Sequence, residues 1–317
     1  MTTYKEIFGK YVKNYSSDPT SDIEGQVWYN STTGVFKTNL AGAAAWASGG
    51  NMGTARYGLA GAGTQTAGLG FGGNGPSAAT EEYDGSAWTG GGNLATARNS
   101  IAGCGLQTAG LAFGGSTGSN SAATEEYDGS AWTGGGNMGT ARNALTGCGI
   151  QTAGLGFGGY STANTNATEE YDGSTWTGGG NLATARRTIG GAGTQTAGLA
   201  FGGFSTVNTA ATEEYDGSAW TAGGNLNDAR SRLGGAGIQT AALAFGGRTT
   251  VDLSATEEYN GTSWTNSTSM ATARRYLGGC GTQTAALGFG GFTGTAAVAN
   301  TEEYTDPVFT TKTITTS

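Results

Sequence analysis

Apolar residues in this chain come in short runs, and over no stretch of ten residues do they recur at helical spacing. They fall instead into brief segments separated by glycine-containing turns. From residue 99 to residue 135 the order is NSIAGCG, the turn LQT, AGLAFGG, a polar loop, ATEEYDG, and SAWTGG. Each segment has the length of a β-strand, and the Asp-Gly and Asn-Gly pairs that recur along the chain mark tight reversals. The pattern predicts four short antiparallel strands, followed by the same four again.

That unit recurs six times. A (T/D)-A-R triplet places arginine at Arg56, Arg98, Arg142, Arg186, Arg230 and Arg274, at intervals of 42, 44, 44, 44 and 44 residues. F-G-G begins at Phe71, Phe113, Phe157, Phe201, Phe245 and Phe289, and T-E-E-Y ends at Tyr83, Tyr127, Tyr171, Tyr215, Tyr259 and Tyr304. Trp46, Trp88, Trp132, Trp176, Trp220 and Trp264 complete the set. A four-stranded antiparallel sheet repeated at this period predicts the blade of a β-propeller, a sheet that buries both faces against its neighbours.

A Gly-Gly doublet ending the second strand, a Tyr on the third, a Trp on the fourth and an Arg in the next connection resemble the kelch repeat. The resemblance covers residues 43–304 and implies an all-β, six-bladed kelch-type β-propeller with a short N-terminal β-hairpin arm. The chain departs from the kelch pattern in a slightly shorter spacing and a higher glycine content. Trp46 precedes the first repeated Arg, whereas no Trp follows Tyr304. The segment AAAWASGG is therefore expected to supply the fourth strand of the last blade and remove an open sheet edge. The rival closure uses the strand-like C-terminal tail, PVFTTKTITTS. The expected divisions are an attachment arm at 1–42, the propeller at 43–304 and a tail at 305–317.

Composition sharpens this picture. Gly is 62 of 317 residues and Pro only 3, with no glycine at every third position, which excludes collagen. The 31 aromatic residues recur in register with the glycines, which excludes a flexible linker. A net charge of −8 argues against nucleic acid as a partner, and no apolar run is long enough for membrane insertion through a helix. Cys104, Cys148 and Cys280 share a G-C-G context whose equivalents are Ala62, Ala192 and Ala236. A position that accepts Cys and Ala alike reads as a small buried slot, with reduced thiols.

The absence of His removes His-based triads and the copper site of galactose-oxidase-like kelch enzymes. Asp and Gly are adjacent here, as in Asp84-Gly85, unlike the Asp-x-Gly turn of sialidase-type propellers. The paired glutamates, such as Glu81 and Glu82, point to opposite faces of a strand and cannot act on one substrate as an acid/base couple. Their expected role is ion pairing with the six repeated arginines. The reading is a non-enzyme without metal or cofactor.

In such a blade, the loop between strands two and three and the connection from strand four to the next strand one share a rim. On the opposite rim the repeats are uniform, with Gln-Thr and Asp-Gly or Asn-Gly, which reads as turn chemistry. On the first rim they differ, and variable loops on a rigid scaffold are where binding residues reside. Tyr57, Tyr160, Phe204, Tyr276 and Phe292 are candidates to stack on a ligand, and Arg187, Arg248 and Arg275 to grip its polar groups.

Residues 1–40 hold four of the five lysines and the hairpin-like GQVWYNSTTGVFK. SSDP…EGQVWYNSTTGVFK, joined to glycine-rich kelch-like repeats and a closing TKTITTS, resembles virion structural proteins of marine tailed phages, including tail-fibre-type proteins. The resemblance implies a virion protein, assembled in the host cytoplasm, whose arm docks other virion proteins through Trp28, Tyr29 and Phe36. The variable rim would then bind a host surface glycan or protein, with homo-oligomerisation an open option. The alternative is a free or cell-surface carbohydrate-binding lectin or adhesin.

Overall fold

A strand of three to five residues has too few hydrogen bonds to stand alone. In the computed structural model, which describes residues 12–19, 26–306 and 309–314, every named strand belongs to one of seven four-stranded sheets. Among the described residues there is no helix. The chain divides into two compact parts, Met1–Ala45 with Asp306–Ser317, and Trp46–Thr305.

The first part carries one sheet, ordered β1 (Lys13–Tyr15), β2 (Val27–Asn30), β3 (Val35–Ala41) and the C-terminal strand Phe309–Thr313. β1 runs parallel to β2, and the other pairings are antiparallel. The strand-like C-terminal tail contributes a strand paired with β3, with Lys312 opposite Thr38. Asp18 gathers this sheet, accepting from Trp28 Nε1, Asn30 Nδ2 and Lys37 Nζ at 3.2, 2.7 and 2.7 Å. Trp28 has no exposed surface. Tyr29 and Phe36 are half-buried, with ring centroids 5.2 Å apart.

The second part is a propeller-like repeat fold of six sheets. The first repeat consists of β5 (Ala60–Thr64), β6 (Ala67–Phe71), β7 (Thr80–Tyr83) and β8 (Trp88–Gly90), in spatial order and all antiparallel; β4 (Ala45–Ser48) precedes it. Four further repeats have the same order. The sixth sheet takes Gly278–Gly281, Ala285–Phe289 and Thr301–Thr305 from its own repeat and β4 as its fourth strand. First strands touch first strands in sequence, and Gly278–Gly281 of the last repeat touches β5 of the first, so the contacts form a closed cycle.

Each aromatic landmark acts on the neighbouring repeat. The Phe71 ring meets Trp132 edge-on at 4.8 Å, and Trp132 Nε1 donates to Thr80 Oγ1 at 2.9 Å. Trp46 repeats both contacts for the sixth sheet, with Phe245 at 5.1 Å and Thr256 Oγ1 at 3.0 Å. Glycine at the middle of each first strand makes room for these rings. A Cβ on Gly103 would lie 2.3 Å from Phe71 Cζ, and one on Gly147 the same distance from Phe113 Cζ. The cysteines are free and buried in the same layer.

The repeated Gln is a correction to the reading of its rim as turn chemistry alone. Gln107 Nε2 donates to the Gly68 and Tyr83 carbonyls of the preceding repeat at 3.0 and 2.8 Å, and Gln65 closes the cycle onto Ala286 and Tyr304. The Asp-Gly turns beside it do follow turn chemistry: Asp84 Oδ1 accepts from the amides of Ser86 and Ala87.

Candidate functional site

The paired glutamates are fully committed to structure. In every repeat the first one meets the repeated Arg, as in Arg98–Glu125 at 2.8 Å and Arg142–Glu169 at 3.2 Å. The same Arg also clamps the loop between the second and third strands, as Arg98 Nη1 does by donating to the carbonyls of Gly114 and Ala123. Arg98, Arg142, Arg186, Arg230 and Arg274 have no exposed surface and Arg56 retains 2%. The second glutamate accepts the phenol of the following repeat, as Glu126 does from Tyr171 at 2.5 Å. Burial and the adjacent carboxylate push Tyr127, Tyr171, Tyr215 and Tyr259 up to about 12. Among the described residues no three His, Cys, Asp or Glu side chains are grouped as metal ligands.

What remains free lies on the variable rim, which is organised as concentric rings. The residue two places after each repeated Arg forms the innermost one: Gly58, Ser100, Ala144, Thr188, Arg232 and Tyr276. Each amide donates to the carbonyl of the preceding member, from Ser100 to Gly58 at 2.7 Å round to Gly58 to Tyr276 at 2.8 Å. The circle of six hydrogen bonds closes on itself. Its members hold left-handed backbone, with φ between 47° at Ser100 and 64° at Gly58. That region is uncommon for residues other than glycine and an outlier for a β-branched Thr188. These residues and the strand starts beneath them line a cavity of about 130 Å³ at the axis of the cycle.

The residue directly after each repeated Arg forms the next ring, bridged to the residue after Gly-Gly of the same repeat: Asn143 with Tyr160, Arg187 with Phe204, Arg275 with Phe292. This pairing brings the candidates into two clusters. In the first, Tyr57 lies edge-on to Phe292 at 5.1 Å and 6.0 Å from Tyr276. Together with Arg275, Asn99, Ser100 and Gly58 these rings line a cleft of about 260 Å³. The cleft opens where Gly58 contributes no side chain to the innermost ring. In the second cluster, Arg187 lies over the rings of both Tyr160 and Phe204, 5.0 and 5.4 Å from their centroids. Arg248 joins the first cluster through Asp252, which it shares with Arg275 at 3.3 and 2.6 Å.

Ser100, Arg232, Asp252 and the notch at Gly58 are absent from the sequence-based candidates. For Ser100, Arg232 and Gly58 the signal was present, since the second position after the repeated Arg varies as much as the first, and Asp252 lies in the variable loop after Gly-Gly. No family model matches the chain, and no curated protein matches it.

Proposed function

We propose that Trp46–Thr305 is a six-bladed kelch-type β-propeller, and that its variable rim binds a glycan on a host cell surface. The blade assignment is supported by the closed cycle of first-strand contacts and by β4 completing the sixth sheet. The binding assignment rests on the cleft of Tyr57, Tyr276 and Phe292 with Asn99, Ser100 and Arg275. Aromatic faces stack on the apolar faces of sugar rings, and the neighbouring amide, hydroxyl and guanidinium supply hydrogen bonds to hydroxyl groups. The protein is on this reading a non-enzymatic virion component, a tail fibre or appendage, with the arm directed to other virion proteins. That part follows from the resemblance of the arm and repeats to tailed-phage structural proteins.

The test is adsorption of labelled protein to host cells, with soluble oligosaccharides as competitors. Tyr57→Ala with Phe292→Ala is expected to weaken binding at least tenfold, the combined loss of two stacking contacts at about 1 kcal/mol each. Unchanged adsorption by a correctly folded double variant would remove the cleft from the binding surface. Antibody against the repeat part is expected to decorate intact particles, and decoration of host cells alone would favour a free lectin.

A further inference from the structure

The rim carries an excess of positive charge that the chain as a whole does not. At its variable positions the charged residues are Arg187, Arg232, Arg248, Arg275, Asp228 and Asp252, four cations to two anions in a protein of net charge −8. Their partners differ. Arg248 and Arg275 share the single carboxylate of Asp252, at 3.3 and 2.6 Å, and Arg232 donates through Nε to the Tyr276 hydroxyl at 2.7 Å. Arg187 has neither: among the described residues its guanidinium makes no hydrogen bond and no ion pair, only the contacts over Tyr160 and Phe204.

Comparison between repeats shows why Arg187 is left unneutralised. Asp252 occupies the fourth position after Arg248, and from there it reaches Arg275 of the next repeat. The same position after Tyr160 is Asn164. Its Nδ2 donates to the carbonyls of Phe204 and Ser205, and its Oδ1 is buried without a donor. A neutral amide therefore stands where the fifth repeat places the carboxylate.

We propose that Arg187, fixed by Tyr160 and Phe204, anchors an anion subsite that takes the carboxylate or sulfate of an acidic glycan. The proposal rests on the reading of the rim as a glycan-binding surface and names the class of glycan. The rings hold the guanidinium without taking a hydrogen bond from it, which leaves its N–H donors for a bidentate acceptor. The two rings also hold the side chain in place before the ligand arrives, which lowers the ordering cost of binding. Arg232 lies close by, because its amide donates to the carbonyl of Thr188, the residue after Arg187, at 2.9 Å. Its guanidinium is turned to the other side, 5.2 Å from the Tyr276 ring centroid, so Arg187 is the cation of the subsite. Four arginines on one rim are too few for the phosphate tracking on which nucleic-acid affinity depends.

The experiment compares binding of sulfated, uronic-acid and neutral oligosaccharides of one length, and of a single-stranded oligonucleotide of matched charge, at two salt concentrations. The wild-type protein is expected to favour the acidic sugars in a salt-sensitive manner, with the two acidic arms identifying which acid is preferred. Arg187→Gln should weaken that preference about tenfold. Asn164→Asp should do the same with Arg187 in place, by installing the ion pair that Asp252 makes with Arg275. Asp252→Asn, which frees Arg248 and Arg275, should tighten acidic-sugar binding. Tyr57→Ala with Phe292→Ala should reduce the sugar-ring contribution alone, so failure of the cleft and failure of the anion subsite read out separately. Undiminished acidic-sugar binding in both Arg187→Gln and Asn164→Asp overturns the proposal. Tighter binding of the oligonucleotide than of either acidic sugar overturns its glycan assignment.

Discussion

Gly103→Ala tests whether the glycine content follows from packing between repeats. The new methyl carbon would sit 2.3 Å from Phe71 Cζ and 3.0 Å from the Leu111 carbonyl oxygen. Carbon atoms in contact prefer separations of about 3.5–4.0 Å, so the ring has to move by more than about 1 Å. Phe71 has no exposed surface and its ring is held by Trp132, so it has little room to retreat in a close-packed interior. Overpacking of this kind costs about 1–3 kcal/mol or more, and the upper end applies because the obstacle is an aromatic ring. Removing a glycine from the unfolded chain returns about 0.4–1 kcal/mol, leaving a net loss of about 2 kcal/mol. At about 2–4 °C per kcal/mol, the midpoint of thermal unfolding should fall by about 4–8 °C. Gly134→Ala is the control, because no atom lies within 4 Å of its Cβ position and Ala222 already occupies the equivalent place in the fourth repeat. It should raise the midpoint by about 1–4 °C. Circular dichroism melts of the two variants decide the matter. Equal shifts, or a stable Gly103→Ala protein, would show that the first-strand glycines are not there to admit the neighbouring ring.

Thr188→Gly should stabilise the protein by about 1 kcal/mol in urea titration, since left-handed backbone costs an L-residue roughly 1–2 kcal/mol and Gly58 already serves in the same ring. Loss of stability would mean that the Thr188 hydroxyl bond to the Arg187 carbonyl outweighs the strain. The phenols give a pH prediction: Tyr83, Tyr127, Tyr171, Tyr215 and Tyr259 are held near 12 against an ordinary value of 10. Above pH 10 the unfolded chain releases these protons and the folded chain does not. The stabilisation is therefore complete below pH 10 and is lost as pH rises towards 12. Absorbance titration should show these phenols ionising only near 12 or together with unfolding, and ionisation near 10 in the folded protein would contradict the Tyr–Glu bonds.

The parts of the fold legible in the sequence are those set by local chemistry repeated in register. Strand and turn residues fall at fixed offsets, so six copies of Phe, Tyr, Trp and Arg locate six sheets, and the unmatched Trp46 identifies the strand that completes the last one. Gln107 was misread for the same reason. Its sequence neighbours describe a turn, but its hydrogen bonds go to carbonyls 24 and 39 residues away, in another repeat. Thr188 and Arg232 were missed because their left-handed backbone follows from closing a circle of six hydrogen bonds, a condition that no single repeat contains. The ring fixes the backbone from the axis outward and leaves the side chains at these positions unconstrained by strand pairing. That is the physical reason variation collects there: the hydrogen bonds are made by amides and carbonyls, which every residue other than proline carries, so the scaffold accepts Gly, Ser, Ala, Thr, Arg or Tyr without changing shape. A recognition surface placed on that ring can change its ligand without disturbing the contacts that hold the repeats together.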